Sequence, residues 1–243
     1  DWNPSGYWET FTWDTPNMQS HYRALDLYQE LGAAVNVTGV EWGMQAPFAQ
    51  VEPMARAIVA LLEHLIRERG YTCIKYWTLT NEPNGTFLRT GASFEDYVQL
   101  HLLVKQGITE KQLGVQVVGS DDTNGGFAWF TRCVENPEYF AAADVFASHR
   151  YLPKEGRALA EFFKRDRLDL LGGRKPFIVA EFGFQDARSG TLENPLMREY
   201  DYALWAAAFA IDGLNLGVSG YTIWCLNEVN YPSGWRMEYG LWD

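Results

Sequence analysis

The chain has 243 residues, 47% of them hydrophobic and 21% charged, which suits a single globular domain, 1–243, with a large core. Its formal net charge of -11 argues against a nucleic-acid partner, because neutralising phosphates takes clustered Lys and Arg. No uninterrupted apolar stretch reaches membrane-spanning length, so no membrane partner is expected. Three cysteines, Cys73, Cys133 and Cys225, lack CxxC spacing and leave one over, which argues against a disulfide framework and a zinc site.

Taken in order, Asp1 to Pro16 reads as a loop rich in aromatics. These rings follow no helical or strand period, so they either pack on the body of the protein or line a cleft. Asn17 to Leu31 reads as a helix stopped by Gly32, and Ala33 to Thr38 as a strand running towards Glu41 and Trp42. Met54 to Arg69 is an amphipathic helix ended by Gly70, followed by a short β-branched and aromatic strand from Ile74. Ser93 caps a helix running to about Gln106, with Glu95 and Asp96 in its favourable first turn. Val115 to Gly119 is a strand, Phe127 to Val134 a helix, Val145 to Ser148 a strand and Leu159 to Leu171 a helix. A strand from Pro176, a helix over Pro195 to Gly213, a last strand over Val218 to Trp224 and a terminal loop complete the chain.

Two of these strands end in a carboxylate. Ile74 to Thr80 runs into Asn81-Glu82-Pro83-Asn84-Gly85, where Pro and Gly stop the strand, and Pro176 to Ala180 runs into Glu181-Phe182-Gly183. Strands alternating with helices call for a parallel sheet. In a parallel barrel, catalytic groups sit at the strand ends. Glu82 and Glu181 are 99 residues apart, which fits strands three βα units apart at about 31 residues per unit. Two carboxylates across a cleft are the minimum equipment for glycoside hydrolysis.

Asn81-Glu82-Pro83 and Ala180-Glu181-Phe182-Gly183 resemble the strand-4 and strand-7 motifs of the clan A glycoside hydrolases, the retaining enzymes on (β/α)8 barrels that include cellulase-like, mannanase-like and xylosidase-like families. His149-Arg150-Tyr151 resembles their strand-6 His-x-Tyr, and Trp224 the strand-8 tryptophan. The resemblance implies a TIM-type α/β fold and cleavage of an oligosaccharide or polysaccharide substrate, with no cofactor and no metal. It casts Glu82 as acid/base and Glu181 as nucleophile, with carboxyl groups about 5–5.5 Å apart. It casts Asn81 as a partner of the sugar 2-hydroxyl, Tyr151 as the residue orienting Glu181, His149 as a contact of sugar or nucleophile, and Trp224 as the floor under the sugar. Outside the resemblance, Glu41 and Trp42 either add sugar contacts or are structural. The high aromatic content, 15%, fits both core filling and sugar stacking.

The sequence departs from the cellulase-like pattern, since the strand-3 region, Thr38 to Trp42, carries no histidine. Asp121 and Asp122 also end a strand, but Asp-Asp-Thr-Asn-Gly spells ordinary turn chemistry. There is no GxSxG, P-loop, GxGxxG or HExxH, and the four histidines lack compact ligand spacing. Only six strands are legible, numbered 3 to 8 by the resemblance. The expectation is therefore an incomplete barrel of about six βα units, cut at both ends. The alternative reading is a carbohydrate-binding protein without turnover on a degenerate barrel, because fold does not dictate activity.

Overall fold

In a computed structural model, which describes residues 11–39, 51–85, 87, 91–123, 126–152, 164–184, 194–230 and 236–241, six strands follow one another across one sheet. They are β1 (Val35–Thr38), β2 (Ile74–Thr78), β3 (Gln116–Asp122), β4 (Val145–Leu152), β5 (Phe177–Phe184) and β6 (Gly220–Ile223), in that order. Every strand pairing resolved within this sheet is parallel. The fold is thus α/β of the TIM type, incomplete among the described residues at six strands rather than eight. Two compact units divide the chain: Asp1–Gly119 with Glu135–Asp144, and Ser120–Val134 with Val145–Asp243.

The first unit holds α1 (Pro16–Glu30), α2 (Val51–Glu63) and α3 (Phe94–Glu110). The start of α1 is set by Thr15, whose side chain accepts from the Met18 N–H, and by Pro16, whose missing N–H costs nothing in the first turn. Ser93 caps α3 in a reciprocal box: its hydroxyl accepts from the Asp96 N–H at 3.1 Å while the Asp96 carboxylate accepts from the Ser93 N–H at 2.7 Å. The apolar faces of α2 and α3 bury Leu62, Leu100 and Val104 completely, each contributing about 1.5–3 kcal/mol. Where one continuous helix was expected, α2 ends at Glu63 and passes into a π-helical turn over His64–Glu68. Trp13, one of the aromatics of the leading segment, stacks on the His64 ring at 4.4 Å, so it packs on this unit. Residues 1–10, which carry the other tryptophans of that segment, lie outside the described residues.

The second unit holds α4 (Phe127–Glu135, whose last residue falls in the first unit) and the helix Tyr200–Leu216. Its core is aromatic: Phe130 meets Phe146 and Phe177 edge-on, and Phe182 packs on Phe209 and Tyr221. Two features depart from the sequence expectations. A further helix, Pro137–Ala142, which belongs to the first unit, follows α4 in the chain and is capped by the Asn136 side chain. The terminal loop contains a small antiparallel pair, Val229–Asn230 with Arg236–Met237. Cys73 and Cys133 are buried, Cys225 is half-buried, and all three thiols are free.

Candidate active site

In the first unit, Glu82 stands four residues beyond the end of β2. The strand's apolar and β-branched residues keep Trp77, Thr78, Leu79 and Thr80 almost wholly out of solvent. The ladder between β1 and β2 continues past both strands, with the Gly39 N–H donating to the Thr78 carbonyl and the Asn81 N–H to the Gly39 carbonyl, each at 2.9 Å. Only glycine fits at position 39, because a Cβ there would lie 2.4 Å from the Leu79 carbonyl oxygen. Asn81 is buried. Glu82 is half-buried and adopts φ +48°, and a turn closed by Gly85 N–H to the Glu82 carbonyl follows it. A left-handed conformation in a residue with a Cβ costs roughly 1–2 kcal/mol, and such strain concentrates at functional positions. Trp42, expected as a sugar contact, lies outside the described residues.

In the second unit, β4 and β5 bring His149, Tyr151 and Glu181 together. The register shifts by one residue between Ser148 and His149, so that Ser148 pairs with Val179 but His149 pairs with Glu181. Ala180 is the extra residue of a bulge, a device that re-aims the side chains beyond it. The Tyr151 hydroxyl donates to Glu181 Oε1 in a short hydrogen bond, and His149 Nδ1 lies 3.4 Å from Glu181 Oε2. Both carboxylate oxygens of Glu181 therefore face a donor group. Gly183 pairs with Tyr151, and a Cβ at that glycine would sit 3.2 Å from the tyrosine ring. Tyr239, itself buried, meets Tyr151 edge-on at 5.8 Å and steadies it from the other side.

Trp224 follows β6, half-buried, with its N–H donating to the Phe182 carbonyl at 3.0 Å and its peptide to Cys225 cis. The Cys225 thiol is pushed up to about 11, first by burial and then by the charges of Glu228 and Glu181. It stays neutral near pH 7 and offers no competing nucleophile.

Asp121 and Asp122 correct the turn reading made from sequence. They are the last two residues of β3 and are 1% and 0% exposed. Their carboxylates go to different partners. Asp122 Oδ1 accepts from the hydroxyls of Ser120 and Ser148 at 2.8 and 2.7 Å, and its Oδ2 accepts from Arg167 at 2.8 Å. Arg167 also donates to Ser148 and lies 4.7 Å over the Phe130 ring. Burial raises the Asp122 carboxyl above its usual range, and Arg167 and the two serines pull it back. Asp121 Oδ1 instead lies 3.1 Å from His149 Nε2. Sequence reading missed both networks. The signal was present, two acidic residues closing an apolar strand, but Arg167 is 45 residues from its partner and only the fold joins them.

No protein-family model matches the sequence, and no curated protein does. Among solved structures, the chain is similar to a glucosidase from Croceicoccus marinus, with TM-score 0.74 and 12% identity over 99% of this chain and 54% of that one. It is also similar to a GH39 β-xylosidase from Caulobacter crescentus, with TM-score 0.68 and 18% identity over 96% and 54% of the two chains. An exo-β-1,4-mannosidase, Op5Man5 from Opitutaceae bacterium strain TAV5, gives TM-score 0.63 and 15% identity over 95% and 44%. The chain spans about half the length of these structures. At such identities the likeness is one of fold, and it is the fold that the glutamate motifs pointed to.

Proposed function

We propose that the protein is a retaining glycoside hydrolase that cleaves β-linked O-glycosidic bonds by double displacement, with Glu181 as nucleophile and Glu82 as acid/base. The observation that carries the reading is Glu181 at the bulge of β5, with Tyr151 and His149 presented to its two oxygens. That arrangement favours an ionised, fixed carboxylate, which is what attack on an anomeric carbon needs. The fold shared with a glucosidase, a xylosidase and a mannosidase supports the substrate class.

In the first step the Glu181 carboxylate attacks the anomeric carbon while Glu82 gives its proton to the leaving oxygen, leaving a glycosyl ester and a free alcohol. In the second, Glu82, now a carboxylate, takes a proton from water as that water attacks the ester carbon, which regenerates Glu181. Two nearby carboxylates repel, so one keeps its proton before the first step, and esterification of Glu181 removes that repulsion before the second. Asn81 would hold the sugar 2-hydroxyl, and Trp224 and Trp42 would stack against the sugar.

The test uses the intact protein on activated aryl β-glucosides, β-xylosides and β-mannosides. Glu181→Ala removes the nucleophile and abolishes turnover whatever the leaving group. Glu82→Ala spares the first step for a good leaving group but slows the second. It should show a burst of phenol followed by slow turnover that azide accelerates, since general acid–base help is worth roughly 10²–10⁴-fold. A burst in Glu181→Ala and none in Glu82→Ala would reverse the roles. Binding of oligosaccharides with no hydrolysis of any of these substrates would favour a binding protein instead.

A further inference from the structure

We propose that Asp121 is a positioning residue for Glu181: it holds the His149 imidazole in its doubly protonated form, and that imidazolium in turn orients Glu181 and keeps it ionised. The inference rests on the reading of Glu181 as nucleophile. Both ring nitrogens of His149 face a carboxylate oxygen, Nε2 towards Asp121 at 3.1 Å and Nδ1 towards Glu181 at 3.4 Å. A carboxylate can only accept, and a neutral imidazole carries one N–H and one lone pair. Whichever tautomer it took, a neutral ring would set its lone pair against one of the two anions. The imidazolium donates to both.

Burial sharpens the argument. The side chains of Asp121 and His149 are 1% and 3% exposed, and Asp121 Oδ2 has no hydrogen-bond partner among the described residues. A buried carboxylate without a countercharge is costly, and in this unit His149 is the group placed to supply it. Asp121 and Ser120 reach this position through left-handed backbone, φ +44° and +68°, so the carboxylate is held there against a local conformational cost. The cation that could compete, Arg167, is engaged by Asp122 and Ser148. Among the described residues, Tyr151 donates to Glu181, and the charge of Glu181, with that of Glu228, reaches the Cys225 thiol beyond β6. Glu82 enters as the proposed acid of the same reaction. During attack the charge of Glu181 passes into the ester while Asp121 keeps the ring proton in place.

The experiment is Asp121→Asn in the intact protein, which preserves shape and removes the charge. Nitrogen NMR of the histidine ring, with His149→Gln to assign the signal, follows protonation whether or not the protein turns over. The expected result is an imidazolium in the parent that loses its proton at least about one pH unit lower in Asp121→Asn. The acid limb of kcat/KM for an aryl glycoside should move upward in the same variant, so that its activity deficit is roughly tenfold greater at pH 5 than at pH 7. Unchanged titration of His149 overturns the proposal. So does a loss of kcat/KM by the same factor at every pH, which would mark a structural role. If the parent hydrolyses no glycoside, the nitrogen titration still decides the role of Asp121, and only the glycosidase reading falls.

Discussion

Glu181 lies opposite His149 in the parallel β4–β5 pair because Ala180 is an extra residue between the Val179 and Glu181 pairings. An unbroken register would set Ala180 against His149 and Glu181 against Arg150. Neighbouring pairs in a sheet point to opposite faces, so this one-residue shift decides what the carboxylate meets.

Tyr151→Phe deletes the hydroxyl that donates to Glu181 Oε1 and leaves the ring in place against Tyr239. A hydrogen bond to a charged group is worth about 1.5–3 kcal/mol, so kcat/KM for aryl glycosides should fall about 10- to 150-fold. The melting temperature should barely move. Steady-state kinetics beside a thermal melt check both statements; a variant with parental kinetics removes Tyr151 from the site.

Gly183→Ala probes the same tyrosine from its other side. The added methyl would lie 3.2 Å from both the Tyr151 ring and the Tyr202 hydroxyl, tighter than normal packing. The ring must shift, at a cost of about 1–3 kcal/mol in stability. Activity should drop along with it, because Tyr151 can no longer meet Glu181 squarely. Urea unfolding and kcat/KM measured on one preparation separate the two effects.

Arg167 and Asp122 form a buried ion pair. Arg167→Ala leaves the Asp122 carboxylate buried without its cation, which should cost about 3–5 kcal/mol. Asp122→Asn combined with Arg167→Met removes both charges and should cost much less than the sum of the single changes. A double-mutant cycle read by chemical denaturation tests this, and additive losses would show that the pair is not coupled.

His101 is fully buried, with Nδ1 2.9 Å from the Tyr97 carbonyl and Nε2 3.3 Å from the Tyr139 hydroxyl. Burial lowers it from 6.5 to about 3. The folded protein thus keeps this ring neutral where the unfolded chain takes up a proton. Its contribution to stability is whole above pH 6.5 and is lost as pH falls from 6.5 towards 3, at up to about 1.4 kcal/mol per pH unit. In His101→Phe the slope of unfolding free energy against pH should flatten across that window. Equal slopes in parent and variant would mean that His101 does not drive acid unfolding.

The six strands, their order and the placing of Glu82 just beyond β2 could be read from the chain, because apolar runs, Pro and Gly act locally; Glu181, expected where its strand stops, instead lies inside β5, which runs on to Phe184 because Phe182, Gly183 and Phe184 continue the pairing with β4. The cap at Ser93 was legible for the same reason, since its partner Asp96 is three residues away. Local signals also misled. Asp121-Asp122 spells a turn, yet it closes β3, because tertiary partners, Arg167 for one carboxylate and His149 for the other, outweigh the turn preference. The bulge at Ala180 leaves no mark in composition; it is a property of how two strands pair. Sequence therefore determined which residue types fall in the later part of each strand or just beyond it. Only the tertiary structure decided which of them share a face, because that depends on register and on contacts between segments tens of residues apart.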